Sequence, residues 1–257
     1  MKPAALLSYG LLSMTAVLLH AQESPGRNGK FPTGLSFQYG LGSYAHTDEY
    51  ISREKYSGSL PILQALWTHR HDRYVYHVGM EFGSSSEIRN ANISSTVTQF
   101  SLRQGFLYPL PGFSLLSGNA NAYVGPSTGI FVFTNKQHIA VSGFDYAQST
   151  AALISLGLDS RLICPLSRRF HIESSLNFSV LSLGLRMVDM EESDESPVKL
   201  LTLFSGVNGS WELGMRYHLS EKLSMKTAYL LAAIRIGAWD PLYIASDNLI
   251  LTLTYGL

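Results

Sequence analysis

Between residues 199 and 219 the chain alternates, position by position, between an oily face and a small or charged one. Leu201, Leu203, Val207, Trp211, Leu213, Met215, Tyr217 and Leu219 fall on one side. Thr202, Gly206, Asn208, Ser210, Glu212, Gly214, Arg216 and His218 fall on the other. A period of two belongs to an extended strand, not to a helix. Strands of globular domains run about 5–6 residues, whereas a tilted strand crossing a bilayer needs about 9–11, with extra length beyond the hydrocarbon. This stretch therefore demands lipid against one face and water or polar partners against the other.

The same rhythm recurs along the chain. Residues 33–44, 58–71, 74–83, 99–108, 113–133, 149–164, 169–186, 199–219, 222–236 and 247–257 are expected as ten strands. In the first, Leu35, Phe37, Tyr39 and Leu41 oppose Ser36, Gln38, Gly40 and Gly42; in the third, Tyr74, Tyr76, Val78, Met80 and Phe82 oppose His77, Gly79, Glu81 and Gly83. Short turns at 71–73, 109–112, 165–168 and 220–221 alternate with longer polar stretches at 45–57, 84–94, 134–148, 189–197 and 237–246, which are expected as outer loops. Pro61 should mark the upper end of the second strand, and Gly125-Pro126 predicts a bulge in the fifth. The whole reads as an all-β, antiparallel up-and-down transmembrane β-barrel of about ten strands, both chain ends lying on the short-turn side. Eight or twelve strands fall within boundary errors of about 2–4 residues. Tyr74, Tyr76, Phe106, Tyr108, Phe170, Tyr217 and Tyr255 lie near the short-turn ends on oily positions, where an interfacial girdle belongs.

Composition narrows the alternatives. Hydrophobic residues make up 46% of the chain, charged residues 15%, and the formal net charge is zero, so nothing points to nucleic acid. Cys164 is the single cysteine, which excludes an internal disulfide. Past the N-terminus no apolar run is long enough for a spanning helix. At the N-terminus, Lys2 precedes an apolar run over 4–19, and Ala21 offers a small residue before Gln22. This predicts a signal peptide over 1–21, a flexible leader over 22–32 and one barrel domain over 33–257. No cysteine follows Ala21 directly, so there is no acceptor for a lipoprotein anchor.

In this pattern nearly all of residues 33–257 resembles the small monomeric outer-membrane β-barrel proteins of bacteria. The resemblance implies residence in the outer membrane after signal cleavage, contact with outer-membrane lipid and lipopolysaccharide, insertion by the barrel-assembly machinery, and a monomer. Leu257 stands where many such proteins end in Phe.

Any chemistry would have to lie on the inward face. Glu81, Arg103, Asp159, Arg161, Glu173, Glu212, Arg216 and Lys226 are expected there as an ion network, with His77, His171 and His218 beside them. Arg103, Arg161, Glu173, Arg216 and Lys226 are expected at similar heights, and four acids against four bases read as a structural plug, since buried charges require partners, with a catalytic or ion-conducting centre as the alternative. Antiparallel pairing across 165–168 should set Arg161 beside Glu173.

No catalytic set emerges. His218 and Ser220 sit at a short turn without an acidic orienter, and His171 and Ser175 are too far apart along one strand for a hydrogen bond. Omptin-like proteases resemble the chain in strand count and place acids and histidines at the outer rim; His46, Asp48, His138 and Asp145 fall in expected outer loops, without that family's spacings. The acidic run 189–195 reads as a solvated loop, and neither a metal set nor a cofactor motif is present. The leading expectation is a non-enzymatic barrel with a charged, plugged lumen and a structural or surface-binding role. The competitors are a lipid-modifying or proteolytic barrel enzyme and a narrow transporter.

Overall fold

A computed structural model describes residues 33–49, 51–90, 93–111, 120–138, 147–188 and 197–257. The expected signal peptide and leader, the acidic run 189–195 and Asp145 lie outside the described residues. The described chain forms β1 (Gly34–Asp48), β2 (Ser52–Ser59), β3 (Ile62–Arg70), β4 (Val75–Asn90), β5 (Ile93–Leu110), β6 (Asn121–His138), β7 (Ala147–Pro165), β8 (Phe170–Val188), β9 (Val198–Thr202), β10 (Gly206–His218), β11 (Leu223–Ile236) and β12 (Leu242–Gly256).

All pairings are antiparallel. The ring runs β1, β3, β4, β5, β6, β7, β8, β10, β11 and β12, and β12 pairs back onto β1. It has ten staves, because β2 continues β3 above Pro61 and β9 continues β10 above a turn at Thr202–Ser205. Closure leaves no sheet edge, as a strand fold in lipid requires.

The outward face is that of a membrane protein. Phe37, Leu63, Ile154, Leu213, Leu249 and Leu253 are exposed, Leu249 by 67%, on a scale that a water-facing monomer does not present. Near the short turns Tyr74, Tyr76, Phe106 and Tyr108 form one aromatic cluster, and Phe170 packs on Tyr217 at 4.7 Å between ring centroids. Tyr255 on β12 is half exposed.

Several expectations need correction. The strands extend well into the expected loops: β1 reaches Asp48, β4 reaches Asn90, β6 reaches His138 and β12 begins at Leu242. Polar sequence there reflects strand outside the lipid rather than irregular chain. Gly125-Pro126 causes no register shift between β6 and β7. The ladder to β5 is instead interrupted opposite this pair, where Pro126 has no donor, and a Cβ on Gly125 would lie 1.8 Å from the Phe106 carbonyl oxygen.

The stretch 199–219 is two strands. Leu201 is buried and faces inward, whereas Trp211, Leu213 and Met215 face out. The turn between β9 and β10 inserts residues and exchanges the faces. Leu203 and Phe204 project from this turn, Phe204 92% exposed.

Candidate functional site

Alternation sends one side chain in every two into the lumen, and the lumen is layered. Nearest the short turns Val75, Leu107, Tyr123 and Ile163 form a small apolar floor. Above it lies the ionic layer. Glu173 on β8 accepts from Arg216 on β10 through both oxygens, at 2.5 Å from Nε and 3.0 Å from Nη2. This forked geometry fixes the guanidinium plane. The remaining Arg216 nitrogen, Nη1, donates to Ser224 Oγ (3.0 Å) and Thr254 Oγ1 (2.9 Å), and the Thr254 hydroxyl bonds Ser36 (2.8 Å). Lys226 on β11 donates to Glu212 at 2.5 Å and lies 3.7 Å from Glu173.

A second node is Asp159 on β7. Its carboxylate bonds His77 Nε2 at 2.8 Å, accepts from Ser127 Oγ at 3.1 Å, and accepts from the Asn177 amide. Arg161 lies in the field of Asp159, Glu212 and Glu173, and Glu81 in that of Arg103. Arg161 is not directly beside Glu173, as expected, because the register places Ser175 opposite Arg161 and Glu173 opposite Ile163. The β7 and β8 hairpin turns later than the symmetric turn assumed from 165–168. His171 and His218 meet at 3.4 Å.

Above the ions an apolar cluster fills the barrel. Tyr44, Tyr56, Leu60, Ile88, Phe131, Phe133, Leu201, Trp239 and Leu242 belong to it. Between the two layers a cavity of about 150 Å³ is lined by Gln38, Gln64, Arg103, Glu212 and Lys226 below and by Phe131 and Ile234 above.

The top of this cluster holds a polar knot missed in the sequence. Asp48, fully buried on β1, pairs with Arg186 on β8. It also accepts from Ser149 on β7 and from Asn135 on β6 at 3.3 Å, while Ser95 on β5 donates to Asn135. Beside it the His46 ring stacks on Tyr56 at 5.3 Å and meets the edge of Phe133, and Tyr56 donates to Gln137 at 3.3 Å.

His46 and Asp48 are thus buried strand residues, not rim-loop residues. Arg186 faces inward because of a bulge on β8, where Val180 and Leu181 both face out. Two adjacent large apolar residues in an otherwise alternating strand were the available signal. Among the described residues no group of histidine, cysteine and acidic side chains could hold a metal ion.

Closed ring, oily exterior and a lumen that carries an ionic layer together define a bacterial outer-membrane β-barrel protein. One solved structure of that class shares the fold and others are similar at lower scores. The outer membrane protease OmpT from Escherichia coli matches over 92% of this chain and 100% of its own, with 6% identity and a TM-score of 0.52. The translocator domain of autotransporter NalP from Neisseria meningitidis matches over 99% and 97%, with 13% identity and a TM-score of 0.45. Neisserial surface protein A matches over 89% and 100%, with 13% identity and a TM-score of 0.35. No protein-family model matches the sequence, and no curated protein matches it.

Proposed function

We propose that the protein is a closed, non-conducting and non-enzymatic outer-membrane barrel that acts through its outer rim and wall, as a structural or surface-binding element. The observation that carries this reading is the filled lumen: the Asp48 and Arg186 side chains, 0% and 1% exposed, seal an apolar cluster that itself sits on the ionic layer. Wide aqueous channels need about 16–18 strands, and about eight are just filled by side chains. Ten staves with this content are read as closed to steady ion flow. Asp159 is bonded to His77 and Asp48 to Arg186, and the buried His46 ring is packed between Tyr56 and Phe133, which disfavours hydrolytic work on an outside substrate. The barrel is further read as a monomer, inserted by the barrel-assembly machinery.

The test is conductance in planar bilayers, alongside incubation of the refolded protein with phospholipid, lipopolysaccharide and peptide substrates. Silent bilayers and no turnover are expected. Large steady currents would remove the plug, and turnover lost in Asp48→Asn would restore the enzyme reading. The lumen cavity of about 150 Å³ favours a narrow transporter as the second reading. Solute uptake into liposomes that is abolished by filling the cavity at Ser101 would establish it.

A further inference from the structure

The outer wall carries an arrangement independent of the lumen. On the outward side of β2, β1, β12 and β11 the register aligns Lys55, Thr47, Tyr243 and Arg235 in one cross-strand row. Lys55, Tyr243 and Arg235 are exposed, and the Arg235 guanidinium lies over the Tyr243 ring at 5.7 Å. Two positions lower the register aligns Ser57, Ala45, Ala245, Ala233 and Gly209 across five strands. Two positions lower again Asp247 stands between Ser43 and Leu231, accepting from the Ser43 N–H and the Tyr229 hydroxyl, each at 3.0 Å. The row of small side chains sinks the wall below Trp211 and Leu231, and the groove has a volume of about 860 Å³.

Height gives this groove its meaning. Twelve residue steps separate girdle residue Tyr255 from Tyr243 on β12. At ~3.3 Å per residue and a tilt of ~40° they climb about 30 Å, just beyond the apolar band of about 25 Å. Tyr243 and, one strand away, Arg235 therefore stand near the level where headgroup phosphates of the outer leaflet begin, Lys55 stands a few ångströms higher because the row rises with the strand tilt, and Asp247 stands about 10 Å below Tyr243, beside the first acyl carbons. A carboxylate facing lipid is costly unless it is bonded. The two bonds that Asp247 accepts leave further lone pairs for a donor, since an ionised carboxylate offers about four.

We propose that this groove binds one phosphorylated glycolipid of the outer leaflet. Its phosphate pairs with Lys55 and Arg235, its upper acyl segment lies over the small residues, and a hydroxyl or amide N–H just below the headgroup donates to Asp247. Opposite charge at the phosphate level and an acceptor at the depth of acyl attachment select this occupant over a simple diacyl phospholipid, which carries no such donor there. The proposal rests on the membrane placement of the barrel and is indifferent to whether the lumen conducts.

The test uses the full mature barrel in nanodiscs of zwitterionic phospholipid, with native mass spectrometry and thermal unfolding after addition of bisphosphorylated lipid A, dephosphorylated lipid A or phosphatidylglycerol. One bisphosphorylated lipid A per barrel is expected to be retained. Its affinity should fall at least tenfold on removal of the phosphates, in Lys55→Ala/Arg235→Ala, and in Ala245→Phe, which fills the groove from an exposed position. Asp247→Asn should fall by less. Unchanged binding in the double variant or in Ala245→Phe overturns the site. Equal competition by phosphatidylglycerol also overturns it, reducing the effect to general attraction of basic wall residues for anionic lipid. Heat-modifiable gel mobility checks that each variant is folded.

Discussion

The lower and upper halves of the barrel are built from the same strands but solve different problems. In the lower half alternation is unbroken, the outside is oily and aromatic, and the inside holds Glu173, Arg216, Glu212 and Lys226 in bonded pairs. In the upper half, among the described residues, the inward parity changes three times. It changes on β4 between Ser85 and Ile88, on β8 at Val180 and at the turn between β9 and β10. Each slip changes which parity points inward, and Ile88, Arg186 and Leu201 enter the lumen as a result. Lipid enforces strict alternation only where it touches the wall. Above it, bulges are free to aim chosen side chains at a plug.

The sharpest way to break the contrast is to remove one member of the upper ion pair. Asp48→Ala leaves the Arg186 guanidinium buried without its counterion, which typically costs about 3–5 kcal/mol. Reversible urea titration in vesicles should show that loss, and Asp48→Ala/Arg186→Met should recover much of it. Equal stability of the single variant and wild type would mean that the upper plug is not a packed core.

Next in size is the lipid face of the lower half. Leu213→Arg places a charge on the lipid-facing wall and should cost up to about 2–4 kcal/mol. Asn208→Arg, on the inward face of the same strand near Ser179, should cost less, because Glu212 lies on that side. The reverse order in the same titration would make the oily face a protein core.

The smallest effect sharpens the comparison within the knot. Ser149→Ala removes one of several donors to Asp48 while the Arg186 pair stays. A loss of about 1.5 kcal/mol is expected, the low end for a hydrogen bond to a charged group, because other donors to the carboxylate remain. A loss approaching that of Asp48→Ala would show that the hydroxyl, not the guanidinium, holds the carboxylate in place.

The same contrast explains what was legible in the sequence. Ten staves and the outward face of Leu213 and Trp211 follow from a period of two that lipid makes obligatory. The inward ions could be named because each stood opposite an oily neighbour. Their partners could not be named, since pairing depends on where a turn closes. A shift at 165–168 moved Ser175, not Glu173, opposite Arg161. Asp48 and Arg186 were hidden for a different reason. They lie far apart along the chain in segments that read as loop and strand end, and only the β8 bulge and ring closure bring them together.

The seam between β1 and β12 joins the most distant parts of the described chain. Ser36 and Thr254, 218 positions apart, share a hydrogen bond there, and the whole of β1 from Gly34 to Asp48 is paired with β12. Contacts so remote in sequence bear the full entropy of loop closure and form slowly. Until β12 arrives, β1 therefore presents an open row of N–H and C=O groups that could template aggregation. A nascent barrel of this kind spends its slowest moments with that edge unpaired, and it is the edge that a folding catalyst would have to hold.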